Sequence, residues 1–352
     1  MEWPGPTHEV GELTRPGLVP PVKTDPTGRH GPTPKQARGL RWRRTSRGRY
    51  VPAEVDGESV EQRIVEAAAV LPAFGAVTGW AALRWCGADW FSGLLGDRVA
   101  KVPVTLVTSS ADIRPQAGIT VSAEKLSPRD IVVVDGLRVT TPQRSVLFEM
   151  RYAASVEAAV IVADMAMYAD LVSSAEVVTY AASLSSWTGI PQAREALPLM
   201  RENSWSPQET RMRLLWLLLA GLPEPLCNVP VFDTSGRHIG TPDLFEPTSG
   251  VVGEYEGAVH LDGRQRGVDV RREQAFRDVG LEYVAMVGAD WRDEAGVAAR
   301  LCSAYGRAVR RLAGPRSWTL EPPAWWVRTD TVDRRRELSE QERRRLLARR
   351  VG

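Results

Sequence analysis

Two rhythms of apolar residues run along this chain, and the points where one gives way to the other mark its elements. Val60, Ile64, Val65, Ala68 and Leu71 recur at helical spacing and stop at Pro72, which predicts a helix. A second helix is expected over 77–86, with Thr78 as its cap and Trp80, Leu83 and Trp85 to bury. Residues 102–108 and 118–122 read as strands, and 130–140 as two strands folded about Asp135-Gly136, a dipeptide suited to a tight hairpin turn. Thr141 and Pro142 then open a helix bearing Val146, Leu147 and Met150.

From 155 to 187 the chain is rich in Ala and Val and reads as helical, with a break near 170–174, and 192–200 adds another helix. Ser206-Pro207-Gln208-Glu209 has the form of a capping box, the Ser206 hydroxyl taking the Glu209 amide and the Glu209 carboxylate reaching back to the Ser206 amide. The helix that follows, through Leu219, is apolar on nearly every face and is expected to be buried. Residues 229–232 and 239–245 read as strands joined by Thr234-Ser235-Gly236, and 251–256 as a third strand. Side chains alternate along a strand, so Glu254 and Glu256 share a face while Tyr255 takes the other. A hairpin of the second and third strands would bring Asp243 to the same end as Glu254.

The ends have a different character. Residues 1–37 are dense in Pro and Gly and poor in apolar side chains, too little to offset chain entropy, and are expected to be disordered. RGLRWRRTSRGRYV, residues 38–51, places Arg43, Arg44 and Arg47 on a basic stretch that either lays guanidinium groups along phosphates or stands as a solvated ribbon. Beyond 313 come Trp318, Trp325 and Trp326, and then an Arg-rich helical segment, 334–350, read as nucleic-acid-binding or as a solvated tail.

Composition narrows the class. A chain of 352 residues with 43% hydrophobic and 25% charged residues fits two compact domains plus tails. The net charge of +2 argues neither for nor against nucleic acid. Lys occurs only at 23, 35, 101 and 125, so Arg carries nearly all the positive charge. Cys86, Cys227 and Cys302 are odd in number and widely spaced, which argues against a disulfide framework and for a cytoplasmic protein. No run is long and apolar enough to suggest a membrane partner.

VTGWAALRWCG, VPVTLVT and GLRVTTPQRSVLFEM together resemble the amino-terminal region of bacterial proteins related to the AbiEi-type abortive-infection antitoxins, whose wing is similar to SRGRYVP here. The likeness covers residues 38–155 and implies an α+β domain with partial winged-helix features and a partner toxin or antitoxin. A winged helix needs a recognition helix before its wing, and residues 1–37 do not supply one.

A second likeness covers about residues 205–310. SPQETRMRLLWLLLAGLPEP, GTPDLFEP, GEYEGAVH and DVRREQAFRDVGLEYVAM resemble, in that order, the very-short-patch-repair-like endonuclease branch of the PD-(D/E)XK superfamily. This implies an α/β fold: a restriction-endonuclease-like mixed sheet of three antiparallel strands and a further strand, flanked by helices, with acids at its centre. The organisation expected is therefore a disordered 1–37, an antitoxin-like domain 38–155, a helical connector 156–204, a nuclease-like domain 205–312 and a tail 313–352.

Carried over by the likeness, Glu209, Asp243, Glu254, Glu256 and His260 are the candidate catalytic residues. Asp243 and Glu254 are the candidate ligands of Mg²⁺ or Mn²⁺, hard cations that take oxygen donors, and Asp269 and Arg272 match an acid-base pair opening the next helix. Arg264, Arg271 and Arg272, with Arg43, Arg44 and Arg47, are candidate DNA contacts. Where the general pattern has Lys two residues after the Glu, this chain has Glu256. The function expected is metal-dependent cleavage of DNA; the alternative is a catalytically inactive DNA-associated regulator or antitoxin that keeps the nuclease fold.

Overall fold

The computed structural model describes residues 12–95, 100–109, 113–114, 116–257, 263–311 and 315–350, without the side chains of 263–269 and 349. The protein is a mixed α/β chain in two compact units, one of residues up to 152 with 179–190, the other of 153–178 with residues from 191 onward.

In the first unit, β1 (Trp42–Ser46) and β2 (Arg49–Pro52) form an antiparallel ribbon. Helix α1 (Val60–Ala68) follows, then β3 (Gly75–Thr78), α2 (Trp80–Trp85), β4 (Val104–Thr108), β5 (Ile119–Ser122), β6 (Ile131–Val134), β7 (Leu137–Thr140) and α3 (Pro142–Tyr152). The five later strands make one mixed sheet in the order β5-β4-β3-β7-β6. Asp135 and Gly136 both take positive φ, 47° and 80°, as a type I′ hairpin turn requires. Ile64, Trp80, Trp85, Leu106 and Leu137 form the centre of its core.

Two expectations are corrected in this unit. Thr78 does not cap α2: it ends β3, its hydroxyl bonded to Thr140, and Gly79 holds the cap position at φ 64°. A Cβ there would stand 2.1 Å from Glu149 Oε1, the oxygen that instead accepts the Trp80 amide at 2.8 Å. Residues 12–37, expected to be disordered, are tied to the unit by contacts distant in sequence. Leu13 and Leu18 pack on the core, Val22 pairs with Tyr50, and Arg15 bonds Asp135 at 2.7 Å while lying 4.0 Å over the Trp85 ring. Before β1 the described residues hold only a single 3₁₀ turn, Gln36–Arg38.

Helix α4 (Val156–Tyr168) lies in the second unit; α5 (Ser174–Ser183) carries the chain into the first and α6 (Ile190–Ala196) carries it back. Then come α7 (Pro207–Leu214), β8 (Leu226–Cys227), β9 (Val231–Asp233), β10 (His238–Gly240), β11 (Leu244–Glu246), β12 (Val251–Glu256), α8 (Gly263–Asp278), β13 (Glu282–Val287), α9 (Glu294–Arg311), β14 (Trp318–Thr319), α10 (Val332–Arg336) and α11 (Glu340–Leu346). The main sheet runs β13-β12-β11-β8: β8, β11 and β12 are antiparallel neighbours, and β13 lies parallel to β12.

One face of this sheet meets α7 and α9 through Met212, Trp216, Val284, Val297 and Leu301. The other meets α8 and a small sheet, β10-β9-β14, through Val231, Phe245, Val252, Phe276 and Trp318. Each unit of β12 alternation is therefore used: Gly253 faces α7 so closely that a Cβ would stand 2.9 Å from Met212 Cε, while Val252 and Glu254 face the opposite way.

The span 239–245, expected as one strand, is broken. β10 pairs with β9 in the small sheet, β11 with β12 in the main one, and Thr241-Pro242-Asp243 forms the passage between them. Proline has no N–H to give a ladder, so the ladder ends where Pro242 stands. The helix from Ser206 is also less buried than expected. After Leu214 it loosens into a π turn, Leu215–Leu219, and Leu218 and Leu219 are 64% and 54% exposed. Nor is the carboxyl-terminal segment a solvated tail. β14 completes the small sheet, and Arg335, fully buried, bonds Asp170 at 2.5 Å with Arg343 on the other oxygen of the same carboxylate. No described helix is long and apolar enough to cross a membrane.

Candidate active site

Two buried glutamates from different elements, Glu209 and Glu254, lie within the field of a third acid, Asp243. Glu209 stands at the third position of α7, where Ser206 caps the helix and accepts the Glu209 amide at 3.2 Å. Its carboxylate does not return to the Ser206 amide. It reaches one residue farther, where Oε2 accepts the Trp205 amide at 2.8 Å and the Asn228 side-chain amide at 2.6 Å. Burial, and after it the charge of Asp243, push Glu209 up to about 8.

Asp243 follows the Pro242 break. The register Leu244↔Gly253 between β11 and β12 continues to set Asp243 across from Glu254, and Asp243 Oδ2 accepts the Tyr255 amide at 2.7 Å. Its main-chain carbonyl accepts the Asn228 amide at 3.0 Å. Burial raises its carboxyl to about 6, opposed by the Tyr255 amide and the positive charge of Arg272.

Glu254, only 6% exposed, lies in β12 opposite Ala285 of the parallel neighbour. The Arg272 guanidinium from α8 grips both its oxygens, Nε to Oε1 at 2.9 Å and a second, shorter bond to Oε2. The Tyr283 hydroxyl adds a bond at 3.4 Å. Burial and the Asp243 charge raise Glu254 to about 8, against the pull of Arg272. The Tyr283 phenol is itself pushed far up, by burial first and then by Glu254 and Glu256.

No family model, curated protein or solved structure matches the chain. The site therefore rests on its own residues. Glu256 lies at the exposed end of β12, on the face of Glu254. His260 lies outside the described residues, as do the side chains of Arg264 and Asp269. Arg271 is exposed on α8, whereas Arg272, expected at a phosphate, is committed to Glu254. Arg43, Arg44 and Arg47 belong to the other unit. Arg43 is not available to a phosphate, because Glu66 holds it through two bonds of 3.0 and 2.6 Å. Arg44 is exposed with Nε on the Ser46 carbonyl, and Arg47 is exposed.

Asn228 and Tyr283 were not among the residues singled out from sequence. Asn228 carried a usable signal: it sits in Cys227-Asn228-Val229-Pro230 at φ 47°, a backbone region in which Asn is among the few tolerated side chains. Among the described residues no group of three His, Cys, Asp or Glu side chains could hold a metal ion. Glu209 thus shares the field of Asp243 without joining it in one ligand set. Asp243 and Glu254 are the two carboxylates that the β11–β12 register and the Tyr255 amide bring beside each other.

Proposed function

We propose that the second unit is a metal-dependent endonuclease domain of the very-short-patch-repair-like PD-(D/E)XK kind, hydrolysing phosphodiester bonds of DNA. The observation that carries the reading is the linkage of three acids from a helix, a strand entry and a strand: Asp243 Oδ2 accepts the amide next to Glu254, and Asn228 joins the Asp243 carbonyl to the Glu209 carboxylate. The order of elements adds support: a helix, three antiparallel strands, a helix and a parallel strand, with the acids at the sheet's middle strands.

Repelling carboxylates that are withheld from water need either protons or a cation. Asp243 and Glu254 would hold Mg²⁺ or Mn²⁺, which when bound polarises a scissile phosphate and lowers the pKa of an attacking water. Arg272 supplies the counter-charge to Glu254 and must loosen its grip for that carboxylate to act as a ligand. Burial and the Asp243 charge make Glu209 resist ionising, and its Oε2 accepts the N–H groups of Trp205 and Asn228.

The second reading is an inactive DNA-associated regulator or antitoxin that keeps this fold. What favours it is the pair of hydrogen bonds by which Arg272 holds Glu254, together with Glu256 where the general pattern has Lys. Incubation of supercoiled plasmid with the purified chain and Mg²⁺ or Mn²⁺, beside Asp243→Ala and Glu254→Ala, separates the two. Nicking by the wild type alone supports the nuclease; equal backgrounds in all three, or cleavage that survives both substitutions, removes it.

A further inference from the structure

A cavity of about 510 Å³ opens in the second unit against Trp205 and Asn228, within the range of roughly 300–1,000 Å³ usual for small-molecule sites. Its wall includes Trp205, Asn228, Trp325, Trp326, Arg345 and Arg350. The wall and the acid cluster are one construction, since the Glu209 carboxylate accepts from both Trp205 and Asn228.

Three features of the wall specify a ligand. Trp326 is used up internally, its ring 5.1 Å from Phe232 and 4.9 Å from His238, and it meets Trp325 edge-on at 5.6 Å. Trp325 is left 63% exposed at the cavity, a large flat apolar surface facing water. Asn228 is only 3% exposed, and among the described residues its Oδ1 has no donor. Arg350 is only 7% exposed, stacks 4.3 Å over Tyr168, and its Nε likewise has no acceptor among the described residues. Burial and the like charge of Arg335 pull Arg350 down to about 10, so an incoming anion is favoured there. Arg345 stands exposed at the rim.

We propose that this cavity binds one unpaired nucleotide of the nucleic-acid strand, with its base stacked on Trp325, a base N–H on Asn228 Oδ1 and its phosphate against Arg345 and Arg350. A flat ring with N–H donors joined to an anion answers all three features at once; an apolar peptide answers only the first. Aromatic platforms beside guanidinium groups are the usual means of holding single strands without a sequence code. The proposal names the form of the substrate at the nuclease site, and rests on that reading only for the polymer to which the nucleotide belongs.

The test uses the full chain in EDTA, where cleavage does not intervene. Tryptophan fluorescence and anisotropy follow titration with a single-stranded DNA oligonucleotide, an RNA of the same sequence, an abasic DNA strand of equal length and the duplex. At least one base-bearing single strand is expected to bind about fivefold or more tighter than the abasic strand, the low end of what one stacking ring contributes, and the DNA and RNA arms show which sugar is accepted. Trp325→Ala, at an exposed position, should erase that preference, while Arg345→Gln should weaken every strand and flatten the salt dependence. Equal binding of abasic and base-bearing strands, preference for the duplex, or a preference intact in Trp325→Ala overturns the proposal. If plasmid is never nicked but the preference stands, the nuclease reading falls and the nucleotide site remains.

Discussion

Asp243 is a carboxyl held away from water, and its charge in turn raises Glu209 and Glu254, so removing that charge should make the protein more stable. Asn is the fitting substitution because its Oδ1 can still accept the Tyr255 amide that Asp243 Oδ2 accepts at 2.7 Å. The rise from an ordinary 3.8 to about 6 is worth about 1.36 kcal/mol per unit, an upper bound of about 3 kcal/mol. A carboxyl whose folded pKa is raised destabilises the fold wherever the unfolded chain is ionised and the folded one resists ionising. The penalty is absent below the unfolded pKa, grows as pH rises through the window between about 4 and 6, and is constant above. Asp243→Asn should therefore raise the melting temperature fully at pH 8, by about half as much at pH 5, and hardly below pH 4. At about 2–4 °C per kcal/mol for a domain of this size, the ceiling is roughly 6–12 °C. Differential scanning fluorimetry in EDTA across that range reads it directly. A folded Asp243→Asn that is no more stable than wild type at pH 8 would refute the burial of an ionised Asp243 on which the site depends.

Three further outcomes are expected. Arg272→Gln deprives Glu254 of its counter-charge, so that carboxyl rises above its present value of about 8. Wild type and variant should fall with pH in parallel up to about pH 8 and diverge above it, where the wild type levels off and the variant goes on losing melting temperature. Asp164 and Arg213 form a pair with both side chains fully buried, 2.8 Å apart, and Arg213→Met should cost about 3–5 kcal/mol by urea titration because it strands the carboxylate. Gly253→Ala puts a methyl 2.9 Å from Met212 Cε and 3.2 Å from Trp216; overpacking of this kind costs about 1–3 kcal/mol and should shift the urea midpoint at unchanged slope.

What could be read from the sequence was what local chemistry decides. The alternation through Val251–Glu256, the Ser206 cap and the Asp135-Gly136 turn all depend on neighbours in the chain, and each stands where expected. The break in 239–245 had a local signal in Pro242, but the division of the two halves between two sheets did not show, because nothing in a strand of three residues says which partner it finds. Arg272 and Arg335 were misjudged for the same reason. A guanidinium on a polar helix looks solvated until the carboxylate that claims it is known, and those carboxylates lie 18 and 165 positions away. Leu13, Leu18 and Val22 show it in miniature, since a segment too poor in apolar groups to fold alone is ordered by a core built elsewhere.

The two-sidedness of β12 bears on how such a chain can change over generations. Gly253 must face α7 and Glu254 must face away, and a shift of one residue exchanges every side chain between faces. Point replacements along Val251–Glu256 can be tried one at a time, each with a local penalty. A single-codon insertion or deletion between Val251 and Glu254 instead turns the carboxylate toward Met212 and Trp216 and carries the glycine gap away from the helix that needs it. Lineages descending from this chain should therefore vary in letter across the strand but hold its length constant, with gains and losses of residues displaced to the Thr248-Ser249-Gly250 turn before it or to the segment after Glu256.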